Sequence, residues 1–314
     1  MDNLIFCLNA TVPIFLLMLL GFFFKKTGIF TDRFAGEMNS FVFKIALPVL
    51  VFSDLAKEDF HQVWDGSFVL ICFGVTICCI LISFLLSFFL KDSSQRGEFV
   101  QASYRSSAAL LGIGFIQNIY GDAGAAPLMI IGAVPLYNIF AVLLLSFLKP
   151  RKEIMSRELL LKTLKGIVTN PILIGIFIGI CWSLFSIPMP PILSKTTGYL
   201  SGLATPMGLM AMGASLDLKK AFLAWKPAVA ASILKLAAFC AIFLPVAVKL
   251  GFYQDKLVAF LIMLGSPTTI SSFVMAKNMG HEGTISSSAV MITTLLCAFT
   301  LTGWLYLLRL KGYI

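Results

Sequence analysis

Residues Phe68–Leu90, FVLICFGVTICCILISFLLSFFL, run past twenty positions without a charge. About 20 apolar residues in a helix cross a ~30 Å hydrocarbon core, so this stretch alone is long enough to span a bilayer. A soluble helix of that length keeps a polar stripe for water, and none is present. The pattern repeats along the chain. Of 314 residues, 59% are hydrophobic and 12% charged, which excludes a soluble globular domain.

Working outward, the apolar blocks predict an all-α membrane protein with ten transmembrane helices. They lie at about 5–24, 36–56, 67–90, 99–120, 125–148, 166–187, 197–216, 227–250, 256–277 and 284–308. Charge and turn residues separate them, among them Lys25-Lys26-Thr27-Gly28, Lys91–Gly97, Lys149–Lys165, Pro188–Pro191 and Gly280–Gly283. The first block carries Asn9, Thr11 and Pro13 and has no basic leader or small-residue cleavage site. It is expected to remain as the first membrane helix. Alternate loops divide the basic residues 15 against 6, leaving Lys44, Arg105 and Lys235 inside spans. Cytoplasmic loops collect Lys and Arg, so a multi-pass cell-membrane protein (plasma or bacterial inner membrane) is expected, with both termini extracytoplasmic. The net charge of +9 follows from that topology. No basic face interleaved with aromatics points to nucleic acid.

The chain also matches itself. Pro13…Gly21 recurs as Pro171…Gly179, an offset of 158 (171 − 13), and Ala46-Leu47-Pro48 recurs as Ala204-Thr205-Pro206 at the same offset. Ser107, Gly121 and Gly124 match Ser266, Gly280 and Gly283 at 159. The expected organisation is a first five-helix repeat at 1–148, a cytoplasmic linker at 149–165 and a second repeat at 166–314. Five spans is an odd number, so the second copy enters the membrane inverted. Inverted repeats are a common basis for alternating access, with the substrate near mid-membrane between broken helices. The corresponding interruptions are Ser107 to Gly114, containing Gly112, in the fourth span, and Gly265-Ser266-Pro267-Thr268-Thr269 in the ninth. Gly removes bulk and Pro removes a donor. A simple kink or close helix packing would use the same residues.

Chemistry other than transport finds little support. The seven cysteines sit mostly in apolar blocks without metal-ligand spacing. The two histidines, His61 and His281, lie in loops and form no HExxH pair. No enzyme activity, metal or cofactor is expected. A channel or membrane sensor on the same fold is the alternative to a carrier.

Each intramembrane cation costs a few kcal/mol unless it is paired, hydrated or snorkelling. For Lys44 and Arg105 snorkelling and function stand level. Lys235 could attract a carboxylate or pair with Glu98 or Asp217. The acidic residues Glu37, Asp54, Glu98 and Asp217 all lie near span ends, so coupling to protons or sodium stays open. Ser107, Asn118, Asn138, Ser266, Thr268 and Thr269 offer neutral oxygens to a substrate or to sodium, or equally to neighbouring helices. A homodimer is compatible with the sequence, which does not require one.

These residues, in order and spacing over essentially the whole chain, resemble the auxin efflux carrier family, which includes bacterial organic-acid permeases. The resemblance rests on Gly21 with Lys25-Lys26-Thr27-Gly28-Ile29, on Ala46-Leu47-Pro48-Val49-Leu50-Val51-Phe52, and on Asn170-Pro171. Pro206 through Gly213-Ala214-Ser215-Leu216, Lys235-Leu236, and Ser266-Pro267 with Ala276 complete it. It implies ten helices in two inverted repeats, with broken helices four and nine crossing at a site for a small organic anion such as malate, malonate or an auxin-like acid. Together with the lipid bilayer, that anion is the partner expected. From the residue reading and this resemblance together, the candidate substrate-binding residues are Ser107, Gly112, Gly114, Asn118, Asn138, Lys235, Ser266, Pro267, Thr268 and Thr269. The chain departs from the family where the fourth span usually reads Asn-x-Gly-x-x-Gly-x-Pro. Here Ser107-Ala108-Ala109-Leu110-Leu111-Gly112-Ile113-Gly114 has neither that Asn nor that Pro.

Overall fold

The computed structural model describes residues 13, 16–56, 65–108, 115–116, 119–121, 124–148, 165, 168–215 and 224–314. Among these the regular structure is entirely helical. A helical stretch at 16–26 precedes α1 (Asp32–Phe41), which runs through a π-helical turn (Val42–Ala46) into α2 (Leu47–Ala56). Next come α3 (Gly66–Ser87), α4 (Arg96–Tyr104), α5 (Ala126–Phe147), α6 (Pro171–Leu184), α7 (Pro191–Gly202) and α8 (Ala204–Ala214). The chain closes with α9 (Trp225–Ile233), a second π turn (Leu234–Ala238), α10 (Phe239–Lys249), α11 (Gln254–Gly265), α12 (Ser271–Asn278) and α13 (Thr284–Leu310).

Among the described residues five helical runs are long and apolar enough to cross a membrane: Asp32–Ser53, Gly66–Ser87, Leu128–Phe147, Trp225–Lys249 and Thr284–Leu310. The other expected spans are short, as α6 is, interrupted, as α4, α11 and α12 are, or lie partly outside the described residues. Large apolar side chains such as Leu70, Phe89, Phe177 and Ile192 point outward, as lipid contact requires of a multi-pass membrane protein.

Local chemistry sets the helix starts. Asp65 accepts from Ser67 N and Phe68 N, both at 3.1 Å, at the head of α3. It also ties that end to α11 through Lys256 at 2.6 Å, a bond that holds its carboxyl well below the ordinary carboxylate range. Asn170 caps α6 at Ile172 N, with Pro171 at the first helical position. At the start of α13 the cap comes from elsewhere in the sequence: the buried Glu98 carboxylate accepts from Gly283 N at 2.8 Å and Ser286 N at 3.1 Å. An anion is favourable at that positive helix end.

Packing relies on glycines where backbones touch. A Cβ on Gly179 of α6 would sit 3.0 Å from the Phe52 carbonyl oxygen of α2. A Cβ on Gly21 would collide with the Met210 backbone of α8. The two contacts have the same offset in both members, 158 residues (179 − 21 and 210 − 52). Such close approach is how membrane helices gain van der Waals contact without a hydrophobic driving force.

The buried side chains form two apolar clusters. One is built mainly on α3, α4, α5, α9, α10, α11 and α13, and the other mainly on the first π turn, α2, the C-terminal part of α5, α6, α8 and α12. Gly21→Val and Gly179→Val should each cost about 1–3 kcal/mol by overpacking. Gly198→Val in α7, where a Cβ would meet nothing within 4 Å, should be neutral. Thermal unfolding in detergent reads the difference, and equal melting temperatures for all three would contradict this packing.

Candidate functional site

Two helices stop inside the protein and meet. α4 ends at Tyr104, and Arg105 turns extended, with φ −71° and ψ 135°. α11 ends at Gly265, and Ser266 does the same, with φ −72° and ψ 159°, before α12 starts at Ser271. At the second break Pro267 cannot donate a helical hydrogen bond. The first break, at Arg105–Ser107, contains neither Gly nor Pro and lies upstream of Gly112 and Gly114, which fall outside the described residues, as does Asn118.

The first break is held by bonds across the crossing. Ser107 N donates to Pro267 O at 2.9 Å, and Thr268 Oγ1 donates to Ala102 O at 2.8 Å. Ser106 Oγ reaches Met263 O at 2.7 Å and Ser266 Oγ at 2.8 Å. The backbone groups freed by each broken helix are therefore met largely by the other, as burial away from water demands.

Lys235 completes this arrangement. Its side chain is 1% exposed, and its ammonium donates to Leu264 O at 2.6 Å, Met263 O at 3.2 Å and Tyr104 O at 3.5 Å. These are last-turn carbonyls of both broken helices, which lack partners within their helices and carry the negative end of the helix dipole. The π turn that carries Lys235 adds a residue to the helix there and so helps to set its direction. Of the two expected acidic partners, Glu98 caps α13 instead, and Asp217 lies outside the described residues.

A cavity of about 390 Å³ opens beside the crossing, within the usual range of about 300–1,000 Å³ for small-molecule sites. Its polar wall carries Arg105, Ser106, Ser107, Asn138, Thr269 and Ser271. Val42, Leu47, Leu50, Val51 and Ile172 form an apolar wall opposite in character. Of the residues expected at the site, Ser107, Asn138 and Thr269 line this cavity. Ser266 and Thr268 are buried in the crossing itself, Pro267 supplies the carbonyl that Ser107 uses, and Lys235 faces the helix ends.

Arg105 dominates the cavity electrostatically. It is 1% exposed, with Nη2 donating to Ser271 Oγ at 2.6 Å and Asn138 Oδ1 at 2.8 Å. Nη1 reaches Met275 Sδ at 3.0 Å and Gln101 Oε1 at 3.4 Å. Nε has no hydrogen-bond partner. Every one of these acceptors is neutral, and among the described residues no carboxylate pairs with the guanidinium. Asn138 is itself oriented by Nδ2 donating to Val134 O at 3.0 Å. Lys44, by contrast, is exposed on the outer surface away from the crossing. Sequence reasoning gave the two cations equal standing; burial separates them.

The model of the family described as "Membrane transport protein" matches residues 6–305. A Rhizobium meliloti protein provisionally named malonate transporter is 26% identical over 309 residues, covering 96% of this chain and 95% of that one. An uncharacterised transporter of Methanocaldococcus jannaschii is 23% identical over 312 residues, covering 96% and 99%. Auxin efflux carrier component 4 of Arabidopsis thaliana is 27% identical over 153 residues, covering 47% and 25%.

Lys235→Met should orphan the Leu264 carbonyl and lower stability by on the order of 1–3 kcal/mol, read as a lower melting temperature in detergent. A variant that unfolds like wild type and loses only ligand affinity would contradict the role given to Lys235 here.

Proposed function

The chain belongs to the membrane transport protein family, and from that premise we propose that it is a secondary carrier of small organic anions working by alternating access. The observation that carries this reading is Arg105, a buried cation that pairs with no carboxylate among the described residues and whose Nε makes no hydrogen bond there, lining a cavity where two broken helices cross. A fixed positive charge needs an anion, and a planar guanidinium matches a carboxylate best. The names of the relatives, malonate transporter and auxin efflux carrier, agree with a carboxylate.

The carrier has ten membrane helices in two inverted repeats, 1–148 and 166–314, joined by a cytoplasmic linker at 149–165. The internal offset of 158, which recurs in the reciprocal glycine contacts, supports that arrangement. The 15-to-6 division of basic residues supports extracytoplasmic termini. The cavity provides the means of alternation. Its apolar wall comes largely from the second apolar cluster, and Arg105 to Ser107 stand on α4 and its break, which belong to the first. Sliding or rocking of one helix group against the other would carry the site from one membrane face to the other, with the crossing kept intact by its own hydrogen bonds. Among the described residues no acidic side chain lines the cavity. A proton or sodium ion coupled there would meet, among the described lining residues, the neutral oxygens of Ser107, Asn138, Thr269 and Ser271.

The test is counterflow in proteoliposomes containing the full chain. Unlabelled 4-methyl-2-oxopentanoate inside should drive transient accumulation of the same labelled acid. Arg105→Gln should reduce this at least about tenfold, the effect of losing one charge-assisted hydrogen bond of about 1.5–3 kcal/mol. Flux indifferent to internal substrate, together with unitary currents, would identify a channel instead.

A further inference from the structure

The two buried cations of the crossing differ in one respect that bears on the transport cycle. Lys235 is bonded to three carbonyls of the protein, so its surroundings are complete whether or not the cavity is filled. Arg105 lines the cavity, and its four bonds go to neutral atoms, two of them to a thioether and a distant amide oxygen. A thioether sulfur is a weak acceptor. Its Nε has no bond at all. Among the described residues no acidic side chain lines the cavity, and 109–118, which follows the break, contains no charged residue.

We infer that the carrier exchanges singly charged carboxylates and returns slowly when empty, because the guanidinium of Arg105 is neutralised only by the bound ligand. This rests on the carrier reading above. In the open state water fills the cavity and solvates the guanidinium. Changing sides requires the two walls to approach and expel that water, which exposes an unpaired charge to a low-dielectric site. A carboxylate at the cavity face of Arg105, on a wall shared with the Thr269 and Ser271 hydroxyls, which lie 3.2 Å apart, replaces the water with a paired anion. The filled site then closes more readily than the empty one. The same geometry sets the charge of the ligand at one. Among the described residues Arg105 is the one charged residue lining the cavity, and a second carboxylate would be stranded against Leu47, Leu50 and Val51.

Proteoliposomes holding the wild-type chain test this, loaded with labelled 4-methyl-2-oxopentanoate, a singly charged acid with an apolar body. Efflux is followed into buffer with and without the same unlabelled acid, and protein-free liposomes give the background. Exchange should exceed net efflux by about tenfold or more, and external malonate, doubly charged, should accelerate efflux severalfold less. Arg105→Gln, if it folds, should bring the exchange-to-net ratio towards one, since no charge is left to strand. Net efflux within about twofold of exchange, both saturable, would overturn the inference and leave the carrier reading intact. Malonate accelerating efflux as well as the monoacid would also overturn it, through the charge assignment. Non-saturable flux, or no flux of either acid, would remove the carrier reading and this inference together.

Discussion

Two helices that end within an apolar body leave carbonyl and amide groups with no water to receive them, and that debt organises the centre of this protein. Leaving such groups unpaired costs several kcal/mol each in hydrocarbon. The solution is mutual: Ser107 N to Pro267 O, Thr268 Oγ1 to Ala102 O, and Ser106 Oγ to Met263 O. Lys235 then gathers the remaining last-turn carbonyls of both helices. A break in one helix would be unstable without the break in the other. The crossing therefore behaves as a unit, and what lies beside it inherits a fixed geometry.

Arg105 illustrates the consequence. Its extended backbone is part of the break, so its side chain leaves the helix direction and enters the space between the two apolar clusters. Gln101, Asn138, Ser271 and Met275 hold it with neutral atoms, which fixes position without cancelling charge. A carboxylate in that shell would have made a closed structural pair. Its absence among the described residues is what suits the same cation to the proposed anion site.

Much of the fold can be read in the sequence, because lipid imposes a composition and a length that few other environments do. The glycine pattern is legible as well: Gly21 and Gly179 emerge as equivalents from letters alone, and each meets a backbone in the fold. The first helix break is less legible. Gly112 and Gly114 suggest it, yet the chain leaves the helix at Arg105–Ser107, where only contacts with α11 and the segment after it account for the turn. The site is less legible still. Lys44, Arg105 and Lys235 are alike in sequence, each a cation some way into an apolar run. Whether such a side chain snorkels, closes a helix end or faces a cavity depends on neighbours distant in the chain, including Ser271 and Leu264. Ser107, Asn138 and Thr269 are expected there as sources of neutral oxygens, although the sequence leaves them equally open to helix–helix hydrogen bonds. Arg105 could not be ranked above Lys44 without knowing which is buried.

The central claim is that one site beside the crossing is reached from both faces of the membrane in turn. Ser107→Cys in an otherwise cysteine-free chain, reconstituted in oriented vesicles, measures this directly with a membrane-impermeant maleimide. The account predicts labelling from either side, at rates that shift between the two faces when a carboxylate substrate gradient is imposed. Labelling confined to one face under every condition would contradict it.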